Sequence, residues 1–267
     1  MFASGRSEQG PSRPQSDRER LESRLPLVVI NHGSIGKRDP SPRWRPMVLV
    51  QWFVSRGFVV AVPMRRGHAS SDGEWAEGYG PCATADYTNA NLEAASDIRA
   101  AVTFMATRPN VDAKHTLLVG VSTGGFSVLA LASASPQWEG VNILGAIDFA
   151  GGRGSLLSDG DVTRHNCAPD ALVGAAAGFG QRMTIPTLWL YAENDRYFPP
   201  PLARQMFAEF SARNSLGTFV QLPPFGVEGH AAWQSSTWEG DVTQFIDRIG
   251  VKMPTPNAPP RGLPSAM

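Results

Sequence analysis

Along the middle of the chain, short apolar runs alternate with longer stretches whose apolar positions recur at helical spacing. The runs are Leu25–Asn31 (LPLVVIN), Phe58–Pro63 (FVVAVP), His115–Val121 (HTLLVGV), Ile143–Phe149 (ILGAIDF), Pro186–Tyr191 (PTLWLY) and Thr218–Leu222 (TFVQL). Most are nearly continuous in apolar character, as expected of strands buried on both faces. Helices are predicted between them over about 43–56, stopped by Gly57, about 87–107, stopped by Pro109, then 124–134, 200–213 and 232–250. Each crossover therefore has a helix or room for one, which predicts an α/β fold with a parallel sheet covered on both faces.

The two ends read differently. Residues 1–24 are rich in Ser, Arg, Glu and Pro, and 252–267 (KMPTPNAPPRGLPSAM) are Pro-rich, so both are expected to be mobile tails around one domain at 25–251. With 267 residues and 42% hydrophobic content, the chain is large enough for one full core. Lys+Arg 24 balances Asp+Glu 24 without a basic stripe, which argues against nucleic acid or an anionic membrane as partner. No apolar run approaches the roughly 20 residues of a membrane span. The start lacks an apolar signal-peptide core, so the chain as written is expected in the cytoplasm, or in the periplasm or outside the cell if its true start lies upstream. Cys82 and Cys167 both fall in predicted loops, where a disulfide and two free thiols are equally open readings. A bridge would imply an oxidising compartment.

The sharpest local signal is Gly120-Val121-Ser122-Thr123-Gly124, which follows a predicted strand and opens a predicted helix. A serine at such a turn is forced into a strained backbone, and glycines flank it because side chains there would collide. The geometry exposes the Ser122 hydroxyl above the sheet and aims a helix N-terminus at developing negative charge.

A hydroxyl needs a base to take its proton, and the base needs a carboxylate to orient it. Of five histidines, His32 and His68 precede the serine, His115 begins its strand and His165 sits in a loop, which leaves His230 after the last predicted strand. The carboxylate belongs at the end of the strand between, where Glu193 and Asp195 both satisfy the order Ser, acid, His; Asp195, further into the loop, is preferred. The oxyanion of a tetrahedral intermediate would take the Thr123 amide and the Ser34 amide, the latter in Asn31-His32-Gly33-Ser34. His32 is then expected to pack and hold its loop.

Taken together these residues resemble the α/β-hydrolase superfamily, in its dienelactone-hydrolase-like and prolyl-peptidase-like branch, over about 25–250. The segment from Pro63 to Gly73 (PMRRGHASSDG) is similar to that superfamily's D-x-R-G-x-G-x-S-x-G segment at Arg66, Gly67 and one of Ser70 or Ser71, with Met64 and Ala69 in place of the usual Asp and second Gly. The resemblance implies an α/β-hydrolase fold, here reduced to six parallel strands in the order second, first, third, fourth, fifth, sixth, with a small cap in the Gly- and Ala-rich segment of about 150–185. Ser122 stands where dienelactone hydrolases carry cysteine, so their lactone substrate does not follow.

The expected activity is hydrolysis of carboxylic esters or related acyl compounds through an acyl-enzyme, on a small-molecule substrate, with no metal or organic cofactor required by the chemistry. Trp75, Tyr79, Phe149, Tyr197, Phe198 and Trp233 are candidate pocket residues near that face. A peptidase of the prolyl-peptidase-like branch and a non-catalytic binding scaffold are the alternatives.

Overall fold

The computed structural model describes residues 24–34, 43–157 and 164–251. The expected tails at 1–24 and 252–267 lie outside them except for Arg24.

Six strands form one parallel sheet: β1 (Leu25–Asn31), β2 (Val59–Ala61), β3 (Val111–Val121), β5 (Val141–Phe149), β8 (Thr187–Ala192) and β9 (Gly217–Leu222), in the order β2-β1-β3-β5-β8-β9. A seventh strand, one more than expected, is the two-residue β4 (Gln137–Trp138), which pairs antiparallel with β5. It exists because the chain reverses tightly at Gly140, whose φ of 76° lies in the left-handed region that glycine enters without strain.

Residues in each strand alternate between two cores. On β1, Leu27 and Val29 join one cluster and Val28 and Ile30 the other. The first face is covered by α2 (Tyr87–Ala106), α3 (Thr123–Ala134), α4 (Pro169–Arg182) and α5 (Pro200–Ser211). The second carries α1 (Met47–Val54) and α6 (Glu239–Arg248), whose Leu49, Phe53, Val242, Phe245 and Ile246 are fully buried. Each such side chain contributes about 1.5–3 kcal/mol through burial.

The interval expected to hold a cap contains a two-stranded antiparallel pair, β6 (Ser155–Leu157) with β7 (Arg164–Asn166), and α4. Its helix is part of the core layer, with Leu172, Val173, Ala176 and Phe179 buried. The segment expected as one helix over 232–250 divides into a 3-10 helix, Gly229–Gln234, and α6. Between them Ser235 and Thr237 hydrogen-bond each other through their hydroxyls, at 2.7 Å, and Thr237 N–H donates to Ser235 Oγ. Side chains that bond locally in this way compete with the helix ladder.

Candidate active site

Ser122 joins β3 to α3 with φ 56° and ψ −125°, a conformation a residue with a Cβ adopts only under strain of about 1–3 kcal/mol. The surroundings hold it there. Its N–H donates to Phe149 O at 2.9 Å, and its carbonyl accepts from Phe126 N and Gly152 N. A Cβ at Gly120 would strike the Gly124 carbonyl, and one at Gly124 would strike the His32 carbonyl, so strand, helix and first loop meet here with no room for side chains.

Asp195 and His230 come from the loops after β8 and β9. Asp195 is 2% exposed. Its Oδ1 accepts from the Tyr197 and Phe198 amides at 2.8 and 3.0 Å, which leaves Oδ2 aimed at His230 Nδ1, 3.1 Å away. Glu193, the other carboxylate considered, is exposed at the turn. The two loops are stitched together by Gly229 N to Asn194 O, by Phe225 N to Asn194 Oδ1, and by the Arg196 backbone and guanidinium donating to Glu228. Tyr197 lies flat on the imidazole, with ring centroids 4.1 Å apart and planes 12° from parallel.

A cavity of about 400 Å³ opens at the carboxyl ends of the strands, and Ser122, Thr123, Gly33, Ser34 and His230 all line it. The first loop presses against the serine: a Cβ on Gly33 would lie 3.0 Å from Ser122 Cβ. No hydrogen bond joins Ser122 to His230 among the described residues. Trp75, Tyr79, Tyr197, Phe198 and Trp233 line the same cavity. Phe149 does not. Its side chain points to the opposite core, 2% exposed and edge-on to Trp238, because residue 149 falls on that side of the strand's alternation. Trp44 lines the cavity too. It was hidden inside the predicted helix 43–56, which in fact starts after Pro46.

His32 is fully buried. Nδ1 bonds Gly33 O at 2.7 Å and Nε2 accepts from Arg65 N at 3.1 Å, which fixes a neutral tautomer. Burial first, then the Arg65 charge, pushes its pKa down to about 3. Cys82 and Cys167 are joined by a disulfide, with Cα atoms 5.2 Å apart. In the Arg-Gly segment, Gly67 and Ala69 have φ of 70° and 47°, so Ala69 takes the left-handed conformation where the resemblance would place glycine.

A buried ion cluster behind the cavity had no counterpart in the sequence reading. Glu77 accepts from Arg65 Nε, from Arg153 Nη2 at 3.1 Å and faces His68 Nε2 at 3.1 Å; all four residues are at most 4% exposed. Burial alone would raise the Glu77 pKa, but the His68 hydrogen bond and the Arg65 and Arg153 charges outweigh it and hold it below the usual range. Asp148, wholly buried on β5, shows the reverse: burial raises its pKa to about 8. The Tyr191 hydroxyl sits 2.9 Å from Asp148 Oδ2 and 2.7 Å from Gly151 O. One hydroxyl proton serves one of these, and a protonated Asp148 supplies the other. Its signal in the sequence was a carboxyl inside the apolar run ILGAIDF.

The prolyl oligopeptidase family profile matches residues 44–142. No curated protein matches the chain. Among solved structures it is similar to a Klebsiella pneumoniae protein described as a dienelactone hydrolase, at 16% identity and TM-score 0.55, covering 85% of this chain and 88% of that one. It is also similar to an acetyl xylan esterase from Paenibacillus sp. R4, at 16% identity and TM-score 0.56, over 85% and 75%. A puromycin-hydrolyzing peptidase of Mycobacterium tuberculosis matches at 17% identity and TM-score 0.59, over 91% of this chain and 36% of that one. These likenesses show that the chain has the α/β-hydrolase fold.

Proposed function

We propose that the chain is a serine hydrolase of carboxylic esters or related acyl compounds, with Ser122 as nucleophile, His230 as base and Asp195 as its orienting carboxylate. The observation that carries this reading is the Asp195–His230 hydrogen bond, opening on the cavity that also holds Ser122 in its strained turn. In this mechanism His230 takes the Ser122 proton as the hydroxyl attacks the acyl carbon, and Asp195 holds Nδ1 protonated so that Nε2 is the base. The Thr123 and Ser34 amides bind the oxyanion. His230 then returns the proton to the leaving oxygen, and water, activated the same way, releases the acid from Ser122.

Esterases among the structural neighbours support an ester substrate. The prolyl oligopeptidase match, which spans Ser122, supports amide hydrolysis as the second reading. The ester is preferred because a peptide's free amino group wants an unneutralised carboxylate, and Glu77, the carboxylate lining the cavity, is already held by two arginines. A fluorophosphonate probe is expected to label the wild type and not Ser122→Ala. A wild type that resists the probe and hydrolyses no p-nitrophenyl ester of any acyl length would overturn the proposal.

A further inference from the structure

Six aromatic side chains, Trp44, Trp75, Tyr79, Tyr197, Phe198 and Trp233, line the cavity at Ser122. Among the described lining residues Val121 is the one aliphatic side chain. A site for flexible acyl chains has no need of such a composition, since aliphatic side chains fill around methylenes equally well. Rings are costly to leave uncovered: Trp189 and Trp238 are fully buried, whereas Trp44, Trp75, Tyr79, Tyr197 and Trp233 are only half-buried.

The rings are also held in place. Trp44 meets Trp233 edge-on at 5.5 Å, Tyr79 packs on Tyr87 at 5.0 Å, and Tyr197 stacks on His230. Glycine backbone backs the Trp75 ring, because a Cβ on Gly78 would lie 3.3 Å from its Cζ3. Rigid aromatic walls favour a flat partner that stacks or meets them edge-on. They also suit a quaternary ammonium. Here, however, Glu77 lines the cavity with Arg65 and Arg153 both bound to it, so this wall carries one positive charge more than negative and opposes a cation.

We infer that the acyl group this site accepts carries an aromatic ring, so that the substrates are esters of arylcarboxylic or arylalkanoic acids. This rests on the reading of Ser122 as the nucleophile. The ring lies among Trp44, Trp75, Tyr79 and Trp233 while its carbonyl sits at Ser122.

The test uses ethyl esters, so that the leaving group has no ring of its own, and measures kcat/KM in a pH-stat for 3-phenylpropanoate, 3-cyclohexylpropanoate and octanoate. The phenyl ester is expected to exceed the other two by about tenfold, the stacking preference of a ring held between aromatic walls. Trp75→Leu and Trp233→Leu are each expected to bring that ratio towards unity. Equal or faster turnover of the cyclohexyl or octanoyl ester overturns the inference while leaving the hydrolase reading intact. The Ser122→Ala protein gives an arm independent of catalysis: tryptophan fluorescence titrated with ethyl 3-phenylpropanoate should saturate at lower concentration than with the cyclohexyl ester. Tighter binding of the cyclohexyl ester, or displacement of the phenyl ester by tetramethylammonium, also overturns it. If none of the three ethyl esters turns over, this titration alone decides the inference, and the fluorophosphonate probe with the p-nitrophenyl esters decides the hydrolase reading.

Discussion

Two histidine–carboxylate pairs stand at the carboxyl end of the sheet, and in both the ring nitrogen lies 3.1 Å from the carboxylate oxygen. Around Glu77 and His68 the carboxylate also holds two guanidinium groups, and both side chains are at most 3% exposed. Around Asp195 and His230 the other carboxylate oxygen is occupied by backbone amides alone, and the imidazole keeps 14% exposure beside the cavity. Identical distances thus accompany two different situations. A histidine next to an acid is available as a base only when the acid has no stronger cation to serve and a reactant can reach the ring.

The two imidazoles give the largest test. His230→Ala is expected to lower kcat/KM on esters by about 10³-fold or more, with little change in Tm. His68→Ala is expected to do the opposite, lowering Tm while kcat/KM stays within about tenfold. Equal kinetic losses in both would erase the distinction drawn between them.

The carboxylates come next. Glu77→Gln leaves two buried guanidinium groups without a counter-charge, and urea unfolding should show a loss of about 3–5 kcal/mol. Asp195→Asn should cost less stability and far more activity. A smaller effect belongs to the Cys82–Cys167 bridge, which spans 85 residues and ties the Glu77-bearing segment to the one bearing Arg153. The double change Cys82→Ser, Cys167→Ser should cost about 2–4 kcal/mol in the same assay. A cost under about 1 kcal/mol would mean that the ion cluster alone holds these segments.

The gentlest effect is a pH slope. Asp148 has its pKa raised by burial from 3.8 to about 8 in the folded chain. Its stabilising contribution is therefore complete below about pH 4, falls as the unfolded chain ionises first, and is gone above about pH 8, with a slope of at most about 1.4 kcal/mol per pH unit. Asp148→Asn should flatten that slope, so that its Tm relative to the wild type climbs between pH 4 and 8 and then levels. A constant Tm difference across this range would mean that Asp148 is ionised when folded.

Much of the sheet was legible because a strand buried on both faces must be apolar throughout, and β1 was bounded at Leu25 and Asn31 from that pattern alone. β3 begins at Val111, four residues before the apolar run, since only Val111 and Ala113 of its polar first stretch are buried. The serine turn was legible because steric crowding leaves glycine at 120 and 124. Asp195 could be preferred to Glu193 only by its distance from the strand end. The ion cluster was illegible: Arg65, His68, Glu77 and Arg153 are scattered charged residues in loops, and hydropathy assigns such residues to solvent. Their burial depends on meeting one another, which no local pattern encodes.

That mutual dependence bears on how the cavity could be redesigned. One carboxylate balances guanidinium groups from two segments 88 residues apart in sequence, Arg65 and Arg153, so loop grafts or libraries that alter one segment at a time will strand an ion and fail to express. Variation on this side succeeds only when both segments are exchanged together, whereas the exposed Arg196–Glu228 contact on the other side tolerates piecemeal change.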